Sequence, residues 1–227
     1  MICALEDPQI TGVLKRLHEA AETNDPPIIA AALGDGNRAS PATVDSDIAS
    51  FLDDAYIPVS PEVGRLLYAL ARGSRSEIVV EFGTSFGIST IYLAGAIRDH
   101  GAGKVITTEI NHAKAERARR NINEAGLAEY VQIWEGDALK TLRNLDDSVD
   151  LLLLDGWKDL YLPVLKLVEP KLRIEGLVLA DDLDLFPHAH RPFLDYITEP
   201  RNGYAWIEIP LGDRIGAAVR HDRAALS

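Results

Sequence analysis

Ile78–Gly87 reads IVVEFGTSFG, a short apolar run that leads directly into a turn containing two glycines. Gly83 permits a tight turn and a close approach of the backbone, and Gly87 lets a helix begin beside anything the turn binds. Taken alone, the turn is equally consistent with a structural role in which it only packs a strand against a helix. The segment therefore predicts a strand–turn–helix unit and leaves its ligand open.

The same unit recurs along the chain, as apolar runs that alternate with amphipathic stretches. The five runs are Ile78–Phe82, Val105–Ile110, Tyr130–Trp134, Val149–Leu154 and Leu177–Ala180. Helical patterns lie near 87–99, 112–125, 138–145, 159–173 and 188–199. Apolar strands joined by helices are typical of a parallel sheet buried on both faces. Two last runs, 204–209 and 215–220, flank a short turn and predict an antiparallel hairpin. We therefore expect a doubly wound α/β sheet of about seven mostly parallel strands.

The first sixty residues carry helical patterns without strands. Asp7-Pro8 predicts a helix start and Asn24–Pro27 its end. Ser40-Pro41 predicts a second helix that reaches residue 52, and Ser60-Pro61 opens a third that Gly73 ends. The chain is divided accordingly into a helical N-terminal extension, 1–60, and a ligand-binding domain, 61–227. Three roles stay open for the extension: a lid, a wall of the substrate site or a homodimer contact.

The composition excludes several kinds of partner. The chain has 23 Lys and Arg against 35 Asp and Glu, a net charge of −12. Such a surface repels phosphate backbones and anionic lipids, so we expect no nucleic-acid and no membrane partner. A single cysteine excludes an intramolecular disulfide. Acidic residues stand where a signal peptide has basic ones, and no apolar run approaches the ~18 residues of a membrane span, which predicts a cytoplasmic protein.

Polar residues follow the predicted strands at the edge where α/β sheets bind ligands, the carboxyl ends of their strands. Glu109 closes the second strand, 28 residues after Glu81, and is positioned to accept hydrogen bonds from two ribose hydroxyls. Asp137 and Ala138 follow the third strand and are placed to line an adenine edge. The turn lacks the Gly-x-Gly-x-x-Gly pattern that cradles a pyrophosphate. A phosphate-free, positively charged ligand suits Glu81 better, and S-adenosylmethionine is such a ligand.

Three aspartates are expected to meet at the same edge, because Asp155 ends the fourth strand and Asp181-Asp182 ends the fifth. Their oxygens are hard ligands suited to Mg²⁺ or another divalent ion. Without a metal they repel one another, which drives at least one toward protonation. The alternative is that the carboxylates after the fifth strand, Asp181, Asp182 and Asp184, cap the next helix or face solvent.

Trp157 and Lys158, which follow the fourth strand, each allow two interpretations. Trp157 is either a lid on its own helix or a flat surface for a stacked purine. Lys158 is either a surface lysine or, held near a divalent ion, a base of lowered pKa.

Four segments together resemble the metal-dependent, catechol-type O-methyltransferases, which use S-adenosylmethionine on a class I, Rossmann-like sheet. These are Glu81–Gly87, Thr108–Asn111, Asp155–Tyr161 and Leu179–Asp182, and the resemblance runs from about residue 57 to 220. It implies that Asp155, Asp181 and Asp182 bind Mg²⁺, that Lys158 takes the substrate hydroxyl proton, that Glu109 holds ribose and that Trp157 covers the adenine.

The expected cofactor contacts, from the resemblance and from the strand ends together, form a larger set. They are Val59, Ser60, Glu81, Gly83, Ser89, Glu109, Ile110, Asp137, Ala138, Asp155 and Trp157. One departure concerns Asp182, where the family usually has Asn. An additional carboxylate is expected to bind the cation more tightly and to weaken its power to acidify a bound phenol.

The sequence therefore predicts an S-adenosylmethionine-dependent O-methyltransferase that acts with a divalent metal on a small catechol-like or vicinal-diol substrate. Three alternatives stay open. The first is a metal-independent methyltransferase acting on another acceptor. The second is an NAD-type oxidoreductase on a similar sheet, and the third is a ligand-binding relative without activity.

Overall fold

The computed structural model describes residues 2–33 and 52–222. Within these ranges the strands are β1 (Ile78–Phe82), β2 (Lys104–Glu109), β3 (Val131–Glu135), β4 (Val149–Leu154), β5 (Leu172–Ala180), β6 (Tyr204–Ile209) and β7 (Ile215–Arg220). The α-helices are α1 (Pro8–Leu33), α2 (Pro61–Gly73), α3 (Ile88–His100), α4 (His112–Glu124), α5 (Ala138–Thr141), α6 (Tyr161–Val168) and α7 (Arg191–Ile197). No helix in the described ranges combines the length and the hydropathy of a membrane span.

All seven strands form one sheet in the order β3-β2-β1-β4-β5-β7-β6. The pairs among β1 to β5 are parallel, and β7 pairs antiparallel with both β5 and β6. The predicted doubly wound sheet and its C-terminal hairpin are confirmed. The strand order reverses between β1 and β4, so the switch point where such sheets bind ligands lies at their carboxyl ends.

Two hydrophobic clusters cover the two faces of the sheet. The first packs α1, α2, α3 and α4 against alternate strand residues such as Val79 and Leu151. The second packs α5, α6 and α7 against the intervening residues, such as Val80 and Leu152. Side chains of a strand point alternately to its two faces, so a continuous apolar run fills both clusters.

Helix α1 corrects one expectation. The helix passes through Pro26 and Pro27 and ends at Leu33 instead of stopping at Asn24–Pro27. Asp25 is buried there, and its carboxylate accepts hydrogen bonds from the backbone N–H groups of Tyr56 and Ile57. These long-range bonds stabilise a helical turn that local proline chemistry disfavours. The helix predicted to reach residue 52 lies outside the described residues.

The helix expected over 159–173 is also shorter. It begins as a 3₁₀ turn, Lys158–Leu160, continues as α6 and ends at Val168, because Pro170 has no N–H group to continue the hydrogen bonding of the helix. Strand β5 then begins at Leu172, five residues before the predicted start. The helices expected over 138–145 and 188–199 are shortened to α5, followed by a 3₁₀ turn, and to α7.

Asp99, near the end of α3, fastens the N-terminal segment to the domain. Its carboxylate accepts hydrogen bonds from Ala4 N and Tyr68 Oη, both at 2.7 Å, and pairs with Arg98 at 3.0 Å. Desolvation acts to raise its pKa, but these donors outweigh desolvation and hold the pKa of Asp99 below its usual value.

Asp99→Asn is expected to lower the free energy of unfolding by about 1.5–3 kcal/mol at pH 7, since hydrogen bonds to a charged group are lost. A depressed folded-state pKa contributes stability that is present above the ordinary carboxyl pKa and is lost as the pH falls through the folded value. The difference from the wild type should therefore shrink below about pH 4. Urea unfolding at both pH values measures it, with the exposed Asp146→Asn as control; an equal loss in both variants would contradict the prediction.

Candidate active site

The glycine turn after β1 lies against the end of β4. Gly83 has φ +106°, and a Cβ there would stand 2.6 Å from the backbone oxygen of Asp155. The N–H of Asp155 donates to Phe82 O at 2.9 Å, which joins the two strand ends. Only glycine permits this approach, so the turn opens directly onto the switch point.

Glu109 ends β2 beside this turn, as the sequence predicted. Its two carboxylate oxygens accept hydrogen bonds from the backbone N–H groups of Ser85 at 2.8 Å and Asn111 at 2.9 Å. Desolvation raises the pKa of Glu109 against the opposing effect of these N–H groups and of Lys114. Each carboxylate oxygen accepts more than one hydrogen bond, so acceptor capacity remains for ribose hydroxyls.

Glu81 lies deeper than the turn. Its side chain is fully buried, Thr90 donates a short hydrogen bond to Oε2, and Oε1 has no hydrogen-bond partner in the described structure. Its pKa is raised because desolvation outweighs the nearby hydroxyl groups of Ser89, Thr107 and Thr90. Ser89 is buried on α3. A direct contact of Glu81 or Ser89 with a cofactor stays a prediction.

The residues expected at an adenine edge lie next to Glu109. Gly136 N donates to Glu109 O at 2.8 Å, which joins the ends of β3 and β2. Asp137 begins α5 by accepting a hydrogen bond from Leu139 N, and Ala138 is buried behind it. Ile110 is 67% exposed, which leaves its side chain free at this edge.

Val59 and Ser60 have structural roles at the start of α2. Val59 is 4% exposed and belongs to the core on the α1 side of the sheet. Ser60 Oγ caps α2 by accepting a hydrogen bond from Val63 N at 3.2 Å. Their contacts with a cofactor remain predictions.

The aspartates lie at neighbouring strand ends. Asp181 N donates to Leu154 O at 3.0 Å, which places Asp181 beside the end of β4 and Asp155. Asp181 is 2% exposed and its Oδ1 has no partner among the described residues, so the solvent-facing alternative is wrong for this residue.

Their electrostatics suit a cation. Desolvation, and then the charges of Asp181 and Asp182, raise the pKa of Asp155 well above its usual value. Desolvation and then the charge of Asp182 raise the pKa of Asp181 to about 7. A buried carboxylate with an unpartnered oxygen, beside two half-buried carboxylates that repel it, fits a hard divalent ion such as Mg²⁺.

The three carboxylates are nevertheless not drawn into one tight cluster. Among residues 2–33 and 52–222, a different group of potential metal ligands has all its ligand atoms within 4.8 Å of one another. It consists of His112, Glu116 and Glu135. These lie on α4 and at the end of β3, and Arg119 pairs with both glutamates.

Lys158 lies between the strand ends of β4 and β5. It is 7% exposed, so the surface alternative is wrong. Its amine donates to Tyr161 Oη at 2.7 Å and to Asp182 Oδ2 at 3.0 Å. Desolvation lowers its pKa, but Tyr161, Asp182 and Asp155 together raise the pKa of Lys158 above its ordinary value. The described groups alone therefore do not produce the lowered pKa that the sequence suggested.

Asp182 and Trp157 complete this edge. Asp182 has φ +56°, in the left-handed region that Asn and Asp tolerate best among residues with a side chain. The same backbone therefore accommodates the Asn usual in the resembled family. Trp157 is half-exposed where the chain leaves β4, and neither of its two expected roles is excluded.

One element beside the candidate site was missed from the sequence, the segment 52–57, which lies against the glycine turn. Tyr56 stacks on Phe86 with ring centroids 4.2 Å apart, and Ser85 Oγ donates to Tyr56 O at 2.8 Å. Lys114 Nζ on α4 donates to Ala55 O at 3.0 Å. No local signal marks these contacts, because they join residues about thirty to sixty positions apart.

A doubly wound sheet with a glycine turn at its switch point and an acidic residue ending the next strand defines an α/β protein that binds a nucleotide-type cofactor. Residues 80–183 match the family model described as a methyltransferase domain. A Mycolicibacterium smegmatis protein assigned provisionally as an O-methyltransferase is 36% identical over 184 residues, covering 71% of this chain and 82% of that protein. The chain therefore belongs to the class I S-adenosylmethionine-dependent O-methyltransferase family.

Two further relatives refine the comparison. The catechol O-methyltransferase of Niastella koreensis is 33% identical over 131 residues, which cover 56% of this chain and 58% of that protein. The chain thus spans about half the length of the first curated relatives it matches. The O-methyltransferase TomG of Streptomyces achromogenes, solved with S-adenosylmethionine, is 25% identical with a TM-score of 0.66, covering 73% of this chain and 82% of that one.

Proposed function

We propose that this chain transfers the methyl group of S-adenosylmethionine to a hydroxyl of a small catechol-like or vicinal-diol molecule, with a divalent cation held by Asp155, Asp181 and Asp182. The observation that carries the proposal is the meeting of two sets of groups at one edge of the sheet. Glu109 and the Gly83–Gly87 turn form one set, and the three aspartates with Lys158 form the other.

The first set accounts for cofactor binding. Glu109 offers acceptors for the ribose hydroxyls, and the glycine turn allows the cofactor to approach the backbone. Ile110, Asp137 and Ala138 border the position of the base. The segment 52–57 lies across the turn through Tyr56 and Ser85, which helps to exclude water from the site.

The second set accounts for the acceptor. A bound Mg²⁺ would offset the aspartate charges and stabilise the substrate oxyanion. Lys158 is the group positioned to take the hydroxyl proton, which requires that the cation offset the aspartate charges that raise the pKa of this lysine. The oxygen then bonds to the methyl carbon as the carbon–sulfur bond breaks, which yields a methyl ether, S-adenosylhomocysteine and a proton. Much of the acceleration comes from holding the two reactants in line.

One observation favours a metal-independent methyltransferase as the second candidate. Lys158 already neutralises Asp182 at 3.0 Å, and the three aspartates do not converge within 4.8 Å in the described structure. In that case Lys158 and the aspartates would orient a different acceptor without a cation. The oxidoreductase alternative has no support from the family assignment.

Titration calorimetry with S-adenosylmethionine, S-adenosylhomocysteine and NAD, each with and without Mg²⁺, tests the proposal together with an assay of S-adenosylhomocysteine formation from catechol. We expect binding of the first two ligands, none of NAD, and methylation that requires the cation. Methylation that proceeds equally without a cation selects the second candidate. Binding of NAD alone would contradict both.

Glu109→Ala is expected to weaken S-adenosylmethionine binding by about 1–3 kcal/mol, because the ribose hydroxyls lose their charged acceptor. Calorimetry measures the change. Glu135→Ala is the matched control, since Glu135 pairs in register with Glu109 at the end of the neighbouring strand. Glu109→Gln keeps the size of the side chain and one of the two acceptor oxygens used by the Ser85 and Asn111 N–H groups, so it disturbs the turn less than alanine does and helps to separate a binding effect from a distorted turn. An unchanged affinity in both Glu109 variants would refute the ribose assignment.

A further inference from the structure

Tyr161 lies buried between the proposed base and the strand end that carries two of the aspartates. Its side chain is 0% exposed at the start of α6. The hydroxyl oxygen accepts a hydrogen bond from Lys158 Nζ at 2.7 Å, and the hydroxyl donates to the backbone oxygen of Asp181 at 2.9 Å. The hydroxyl proton therefore points to β5, and a lone pair of the hydroxyl oxygen points to Lys158. One hydroxyl group therefore links the lysine to the end of β5.

The amine of Lys158 needs such an anchor. A lysine side chain is flexible, and holding it in one geometry costs rotamer entropy. Of the two oxygens that hold Lys158 Nζ, one belongs to Asp182, a residue that the proposed reaction engages at the same time. The other belongs to Tyr161, which is fully buried and to which the proposed reaction assigns no contact with the acceptor. Tyr161 is therefore the anchor that persists when Asp182 is engaged.

Aromatic packing holds the hydroxyl in place. The ring of Tyr161 meets Phe193 edge-to-face with centroids 5.7 Å apart, and Phe193 meets Trp206 in the same way at 5.7 Å. Such edge-to-face pairs restrict ring orientation. The hydroxyl can thus be removed by substitution with phenylalanine while the ring packing remains.

We propose that Tyr161 is a positioning residue for methyl transfer: its hydroxyl holds the Lys158 amine at the end of β5, in reach of the acceptor. The inference rests on the proposed function, in which Lys158 takes the proton. A displacement of the amine by about 1 Å is sufficient to lower a rate about 10²-fold, since proton transfer depends on near-contact geometry.

Tyr161→Phe is expected to lower kcat for catechol about 10–100-fold, with KM and the affinity for S-adenosylmethionine changed by less than about twofold. Tyr204→Phe is the matched control. Tyr204 is 6% exposed, and its hydroxyl donates to Glu169 Oε1 at 2.8 Å, so the control loses a buried tyrosine hydrogen bond that does not involve Lys158. A purely structural role for Tyr161 predicts thermal destabilisation in both variants with wild-type kcat in both, and that result would overturn the inference.

A second readout does not depend on turnover. In ¹⁵N-labelled protein, the ammonium signal of Lys158 is assigned by its absence in Lys158→Arg. In the wild type and in Tyr204→Phe, its hydrogens are expected to be protected from exchange with solvent, so that the signal is seen. In Tyr161→Phe the signal is expected to be lost. An unchanged signal in Tyr161→Phe would overturn the inference. A wild-type protein that binds S-adenosylmethionine without methylating catechol contradicts the proposed function alone, because the ammonium signal still reports on Tyr161.

Phe193→Leu covers the case in which Tyr161→Phe does not fold. It keeps the hydroxyl and removes the ring contact that orients it. The expected result is a smaller loss of kcat at unchanged KM, and an unchanged kcat would count against the inference.

Discussion

Lys158→Ala is expected to lower the turnover rate about 10²–10⁴-fold, the usual range for loss of a general base. The affinity for S-adenosylmethionine should stay near the wild-type value, because the amine contacts Tyr161 and Asp182 and none of the groups around Glu109. Steady-state kinetics with catechol, saturating cofactor and Mg²⁺ measures the loss. The effect is expected to lie in kcat, since the interaction is made in the transition state.

A second substitution separates proton transfer from charge. Lys158→Arg preserves a positive charge for Asp182 but cannot be deprotonated in a protein. If Lys158 is the base, the arginine variant should lose nearly as much activity as the alanine variant. If arginine restores turnover, the lysine acts only as a charge. Lys15→Ala is the control, because Lys15 forms an exposed ion pair with Glu19 on α1.

Asp181→Ala is expected to lower turnover about 10²–10³-fold, because stabilisation of the substrate oxyanion by a cation is worth several kcal/mol. Treatment of the wild type with EDTA should cause a comparable loss that added Mg²⁺ reverses, whereas the variant should not respond to Mg²⁺. Calorimetry with S-adenosylmethionine should give near wild-type binding. The measurements are the rates with and without added cation.

Asp184→Ala is the matched control for this substitution. Asp184 belongs to the same segment after β5, but its side chain is 55% exposed and pairs with Arg214. This variant should keep both turnover and its response to Mg²⁺. An EDTA-treated wild type that turns over at full rate would contradict the cation part of the proposal and select the metal-independent alternative.

Most of the sheet and the positions of its strand ends could be predicted from the sequence. Apolar runs end before Gly83, at Glu109 and before Asp155. Each of these points marks where a strand leaves the core, because burying a polar group without a hydrogen-bond partner is costly. Parallel pairing brings these ends to one edge of the sheet. The sequence therefore predicted that Glu109, Asp155 and Asp181 lie at the same edge. The family motif after β4 singled out Lys158 in the same way.

The contacts between these groups could not be predicted. The amine of Lys158 is oriented by Tyr161 and Asp182, and neither distance is encoded in the spacing of the motif. The raised pKa of Lys158 likewise results from how closely charges pack around it, a property of tertiary structure.

The sequence by itself determined the fold class, the order of strands along the chain and the edge of the sheet at which the chemistry lies, since these follow from hydrophobic periodicity and turn chemistry, which act locally. Tertiary structure alone decided that α1 continues through Pro26 and Pro27, that segment 52–57 crosses the glycine turn, and that Tyr161 links Lys158 to β5. Each of these features depends on hydrogen bonds or ring contacts whose partners come from separate structural elements. Local propensity carries no information about such partners, because only the packed chain brings them within contact distance.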